Sequence, residues 1–350
     1  MSKISRRTFI GAGTAAATIA LSNWGRNAQS QTSGSVVNLY SARHYDADNE
    51  IYQAFADATG IQVNLIEAEA DPLIERIKSE GANSPADVLV TVDAGRLWRA
   101  EQAGIFQPTN SEILNQAIPE NLRHPQGLWF GFSKRARVIM YDKTKVTPAE
   151  LSTYEDLADP KWRGKVLVRS STNIYNQSLT GSVLAVAGAA KTEAWAKGLV
   201  ANFARPAQGN DVGQIQSCAA GVGTIAICNT YYLLRMVASD QPEERAVAEK
   251  IGIFFPNQRD RGTHVNISGG GLVKNSPNKA NAIKFLEFLA SPKAQEIFAK
   301  SNYEYPVLAG ATVDPTLAAY GTFKEDTLNA AVFGRNGEEA LKIMDRAGWK

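Results

Sequence analysis

Cysteine, histidine and methionine are scarce in this 350-residue chain, at two, three and four residues respectively. A zinc site draws its ligands from Cys and His, and no His stands near Cys218 or Cys228 in the sequence. The clustered Asp/Glu loop that Ca²⁺ or Mg²⁺ would need is absent. So are a Gly-x-Ser-x-Gly elbow, a His-Glu-x-x-His pair and a Cys–His pairing, which removes the common hydrolase and protease chemistries. The run Gly269-Gly270-Gly271 lacks the Gly-Lys-Ser/Thr ending of a phosphate loop and reads as a flexible or closely packed strand. There is no internal repeat and no low-complexity stretch. The apolar stretch at residues 11–21 is too short, and too rich in Ala and Gly, for a convincing membrane span. Charge is nearly balanced: the formal +2 arises from Lys3, Arg6, Arg7 and Arg26, and without them 33 basic residues face 35 acidic ones. No clustered basic surface points to nucleic acid.

At the N-terminus, Ser5-Arg6-Arg7-Thr8-Phe9-Ile10 reads as a twin-arginine export signal within residues 1–30, with Ala28-Gln29-Ser30 offering cleavage after Ser30. An anchor helix that stays attached is the alternative. No Cys lies near the cleavage region, so a lipid anchor is not expected. The twin-arginine route carries proteins that fold before export. The expected location is the periplasm, with a thylakoid lumen as the other choice. In an oxidising compartment Cys218 and Cys228 either pair as a disulfide or stay as two buried free thiols.

The remaining residues alternate strand and helix patterns, which implies βαβ units and a parallel sheet. Residues 36–40, 61–66 and 87–92 read as strands. Between and after them come helices at 48–59, closed by Gly60, at 71–79, with Asp71 as cap and Pro72 as first residue, and at 95–102. Residues 128–141 read as a long strand leaving a first lobe. The style then repeats: strands at 166–168 and 223–228, helices at 175–189, 192–202 and 212–220 and from Tyr231. A second crossing lies at 265–272, followed by an amphipathic helical region at 277–300 that Ser291-Pro292 interrupts and restarts. Two crossings between two α/β lobes make a hinged clamshell. The expected first lobe comprises 31–133 and 266–310, the second 134–265, and a helical segment at 311–350 packs on the second.

Tyr231 and Tyr232 follow the apolar run 224–228 and the turn pair Asn229-Thr230. Ligand sites in open α/β sheets sit outside the carboxyl ends of strands, so both phenols should project into the cleft. Phenolate oxygen is a hard anionic donor and suits Fe³⁺. Arg235 lies one helical turn on, and Arg135 lies on the first crossing strand; each could compensate charge or be a surface arginine.

The chain resembles periplasmic solute-binding proteins of ABC importers, and more narrowly their ferric-iron-binding members, the bacterial transferrins of cyanobacterial type. The residues that carry the resemblance are Leu39-Tyr40-Ser41-Ala42-Arg43-His44-Tyr45, Ser84-Pro85-Ala86-Asp87-Val88, Pro160-Lys161-Trp162-Arg163-Gly164-Lys165, Asn229-Thr230-Tyr231-Tyr232 and residues 288–295. It implies a type II periplasmic-binding-protein clamshell that closes over one ferric ion as cargo. Tyr45, Tyr175, Tyr231 and Tyr232 would be the metal ligands. His44 would either bind the metal or line the cleft. The resemblance also implies an ABC permease as partner, a monomer and no catalysis. Some relatives use a His with a Glu and a separate anion; with no glutamate close to His44 in the sequence, a tyrosine-dominated site with little need for an anion is expected. A clamshell for a small organic anion or amine, and an iron-dependent oxidoreductase, are the rival readings.

Overall fold

The computed structural model describes residues 35–350, and the export signal expected within residues 1–30 lies outside them. The first lobe is built from β1 (Val36–Ser41), α1 (Asp48–Thr59), β2 (Gln62–Glu67), α2 (Ala70–Glu80), β3 (Val88–Val92), α3 (Ala94–Gln102) and α4 (Glu112–Ala117). A long strand, β4 (Phe130–Asp142), carries the chain across. The second lobe holds β5 (Val166–Leu167), α5 (Ile174–Ala187), α6 (Ala189–Ala201), α7 (Asp211–Ala219), β6 (Ile225–Asn229), α8 (Thr230–Val237), α9 (Pro242–Lys250) and β7 (Ile251–Phe254). β8 (Val265–Leu272) returns to the first lobe, where α10 (Lys279–Leu289), α11 (Pro292–Asn302) and β9 (Tyr305–Pro306) pack. Then come α12 (Pro315–Ala318), α13 (Ala331–Arg335) and α14 (Gly337–Arg346).

The strands follow one path, β2-β1-β3-β8-β4-β6-β5, with β7 and β9 also paired to β4. The expected parallel pairing holds only between β1 and its neighbours β2 and β3 and between β5 and β6. The crossing strands β4 and β8 run antiparallel to each other and to their flanking strands, so the sheet is mixed. A strand that takes the chain out of a lobe and one that brings it back must run in opposite directions when they lie side by side.

Most elements begin and end close to where their cap and turn residues place them. α1 stops at Gly60, whose φ of 71° is open to glycine without a Cβ penalty. α2 starts earlier than expected, at Ala70, so Asp71 is not its cap. Pro72 sits inside the first turn, where its missing N–H has no intrahelical acceptor to lose.

Side chains on the second-lobe strands alternate between two cores. Ile139, Tyr141, Ile225 and Ile227 face one cluster with Trp162, Trp195 and Trp349. Val138, Met140, Ala226 and Cys228 face the other, with Leu233, Leu234 and Met236. This is the period-two geometry of a strand buried on both faces. The first-lobe core gathers Leu39, Phe55, Leu89, Trp129, Phe130, Phe132 and Phe285. Each such side chain contributes about 1.5–3 kcal/mol by leaving water. Residues 311–350, expected on the second lobe, divide: Ala331 and Phe333 enter the first-lobe core, while Ile343, Met344 and Trp349 enter the second. Of the two states left open for the cysteines, the structure has the free one: Cys218 and Cys228 are both buried thiols.

Candidate metal centre

The loop after β1 delivers Tyr45, and the first turns of α5 and α8 deliver Tyr175, Tyr231 and Tyr232. Asn173 sets the start of α5: its side chain accepts the backbone N–H of Tyr175 at 3.2 Å, an N-cap that fixes the helix entry beside the tyrosine. Tyr231 is 2% exposed and Tyr175 9%, while Tyr45 and Tyr232 are half-buried. The rings of Tyr231 and Tyr232 lie 4.3 Å apart between centroids with their planes at 36°.

Electrostatics tie the phenols together. Burial raises the Tyr231 phenol well above its ordinary range, and Tyr175, Tyr45 and Tyr232 push it the same way. Tyr232 is raised by burial, then by Tyr175, with Asp211 and Tyr45 adding to it. Burial, Glu304 and Tyr175 raise Tyr45, while Arg43 and Arg135 oppose them. Phenols from two lobes therefore share one electrostatic site, in which Tyr45, Tyr231 and Tyr232 are raised first by burial and then by neighbouring groups, Tyr175 among them in each case. A cation placed among them reverses that balance.

Both arginines singled out in the sequence are here. The Arg235 guanidinium lies 4.8 Å from the Tyr45 ring centroid and 5.1 Å from that of Tyr231, between a first-lobe and a second-lobe tyrosine. Arg135 is buried, not superficial, 5.6 Å from the Tyr175 ring. It bonds Ser268 at 3.3 Å and faces Asp93 at 3.6 Å.

His44, next to Tyr45 in the chain, is turned towards a carboxylate. Its ring is 46% exposed, and its Nε2 is 3.8 Å from Glu69 Oε1 at the start of α2. The expectation that no glutamate accompanies His44 is thus corrected: the parallel register of β1 and β2 pairs Ser41 with Glu67, which carries Glu69 round to the loop after β1. Among the described residues no group of three His, Cys, Asp or Glu side chains could hold a metal.

Several buried charges near the phenols were missing from the sequence reading. Arg43 is held by Asp48 at 2.7 Å and Glu304 at 3.0 Å and lies 4.9 Å from the Tyr45 ring. Arg137 bonds Asn229 at 3.0 Å, Asn176 at 2.8 Å and Asp211 at 3.3 Å, next to the start of α8. Arg169 lies 5.4 Å from the Tyr175 ring. A signal existed for one of these: Ser133, Arg135 and Arg137 recur at every second position of β4, which marks a polar stripe on one face. Arg43, Glu304 and Asp211 carried no such pattern.

Two lobes joined by antiparallel crossing strands, with a polar, aromatic site formed from both, define a solute-binding clamshell. The chain belongs to the bacterial extracellular solute-binding protein family, whose model matches residues 83–326. Within it, iron uptake protein A1 of Synechocystis sp. is 55% identical over 357 residues, taking in 99% of each chain. The Trichodesmium protein IdiA (FutA), solved in complex with iron and citrate, is 62% identical with a TM-score of 0.89, over 90% of this chain and 100% of that one. The major ferric iron-binding protein of Neisseria meningitidis serogroup B is 27% identical over 320 residues, 90% of this chain and 93% of its own.

Proposed function

We propose that this chain binds ferric iron in the cleft as cargo, with Tyr45, Tyr175, Tyr231 and Tyr232 as phenolate ligands, and hands it to an ABC-type iron importer. The observation that carries this reading is the convergence of tyrosines from both lobes, with Tyr175 acting on Tyr45, Tyr231 and Tyr232 alike. Hard, anionic oxygen donors favour Fe³⁺ over Fe²⁺ and over soft ions. Three phenolates neutralise the ion and a fourth leaves one negative charge, which Arg135 and Arg235 offset. The role is binding and delivery without turnover. The twin-arginine motif at residues 5–10 supports a periplasmic location, and the chain would act as a monomer that meets its permease in the closed form. His44 and Glu69, both exposed and 3.8 Å apart, sit at the loop that carries Tyr45 and are the residues that would close the site or contact an anion accompanying the metal, as citrate accompanies iron in the Trichodesmium complex.

The test is optical. Purified protein titrated with ferric citrate should turn orange to red through phenolate-to-iron charge transfer, and Tyr231→Phe/Tyr232→Phe should remove both colour and tight binding. A colourless wild-type protein would overturn the reading in favour of a small organic anion held by the same tyrosines and arginines. Undiminished colour in the double variant would overturn the ligand assignment.

A further inference from the structure

Asp93 follows β3 with φ 81° and ψ 128°, in the half of the backbone map that side chains bearing a Cβ rarely enter. Such strain persists where the surroundings over-determine it, and it concentrates at working sites. The Asp93 carboxylate is fully buried, and its partners come from four parts of the molecule. Oδ1 accepts the Gly95 N–H at 2.9 Å, capping α3, and the Ser178 hydroxyl at 2.5 Å. Oδ2 accepts Asn266 Nδ2 from β8 at 3.0 Å and lies 3.6 Å from Arg135 on β4.

Ser178 is a second-lobe residue on α5, on the same helix face as Tyr175 and one turn beyond it. Residues around it touch α3 as well. Arg99 Nη2 donates to Gln177 Oε1 at 3.4 Å, and Gly95 approaches Ile174 so closely that a Cβ there would stand 2.8 Å from Ile174 Cδ1. The helix that presents Tyr175 is therefore docked on the first lobe, and one carboxylate both grips that helix and faces the arginine lying over the Tyr175 ring.

We propose that Asp93 and Ser178 form a latch across the cleft that keeps the lobes shut over the bound ion, with Asp93 as a positioning residue for α5 and Arg135. This rests on the reading of the tyrosine cluster as the iron site. A hydroxyl donating to a buried carboxylate is among the stronger hydrogen bonds. If opening the cleft parts α3 from α5, this bond favours the shut state and slows release without touching the metal.

The experiment follows release. Iron-loaded protein is mixed with excess chelator and the charge-transfer band is timed. Ser178→Ala should keep the wild-type band and the wild-type rate of uptake from ferric citrate, yet lose iron about tenfold faster or more. Ser182→Ala is the control: Ser182 is buried on the same helix, and among the described residues its hydroxyl bonds only the Leu179 carbonyl, at 2.8 Å. It should release iron at the wild-type rate. Wild-type release from Ser178→Ala, or equally fast release from both variants, would overturn the latch. A wild-type protein with no band would overturn the iron reading itself.

Discussion

At the scale of single residues, protons decide how tightly the cleft holds a cation. The phenols of Tyr45, Tyr231 and Tyr232 are all held above their ordinary range, first by burial. They are protonated at neutral pH without metal, so each phenolate formed on binding releases a proton. Iron affinity should fall as pH falls, because protons compete for the same oxygens, and proton release measured in weakly buffered solution should accompany binding. An affinity that does not change between about pH 8 and pH 6, a range in which free tyrosine stays protonated, would contradict phenolate ligation.

A second residue-scale prediction concerns His264. It is buried with its ring 4.6 Å from Phe333, and neither ring nitrogen has a partner among the described residues. Burial lowers its pKa well below the ordinary value, and Arg261, Arg137 and Arg135 add to the effect. The unfolded chain then binds a proton that the folded one refuses. Stability is fully present above the ordinary histidine pKa of about 6.5 and is lost as pH falls from there towards the folded value. Urea midpoints should drop on acidification through that window, and His264→Phe should flatten this part of the profile.

At the scale of elements, the crossing strand β8 shows why three consecutive glycines are present. A Cβ on Gly269 would stand 2.4 Å from the Phe130 carbonyl oxygen, one on Gly270 2.5 Å from that of Leu89, and one on Gly271 2.1 Å from that of Leu128. The neighbours are backbone atoms, which cannot swing away. Of the two readings of this run, close packing is the one observed. Gly270→Ala should cost about 1–3 kcal/mol or more by overpacking, measured as a lower urea midpoint with an unchanged slope. Helix stops were readable where they depend on local chemistry, as with Gly60 after α1. The start of α2 was not, because proline is tolerated at several first-turn positions and its presence does not single out one.

For the whole molecule, a ligand gripped by both lobes stabilises the folded state by mass action. Iron at about a hundred times its Kd should add about 2.7 kcal/mol, seen as a higher thermal midpoint. Tyr45→Phe, which removes the first-lobe phenol, should shrink that shift, and an equal shift in wild type and variant would argue against a site shared between lobes.

The sequence by itself determined the alternation of strand and helix, the two crossings and the tyrosines at strand and helix ends, because period, caps and turns are properties of neighbouring residues. Only the tertiary structure decided the antiparallel centre of the sheet, the turning of His44 towards Glu69 and the buried pairs Arg43–Glu304, Arg137–Asp211 and Arg135–Asp93. Those pairings join residues far apart in the chain. Their energy comes from mutual burial, and burial does not exist until distant parts of the chain have folded together.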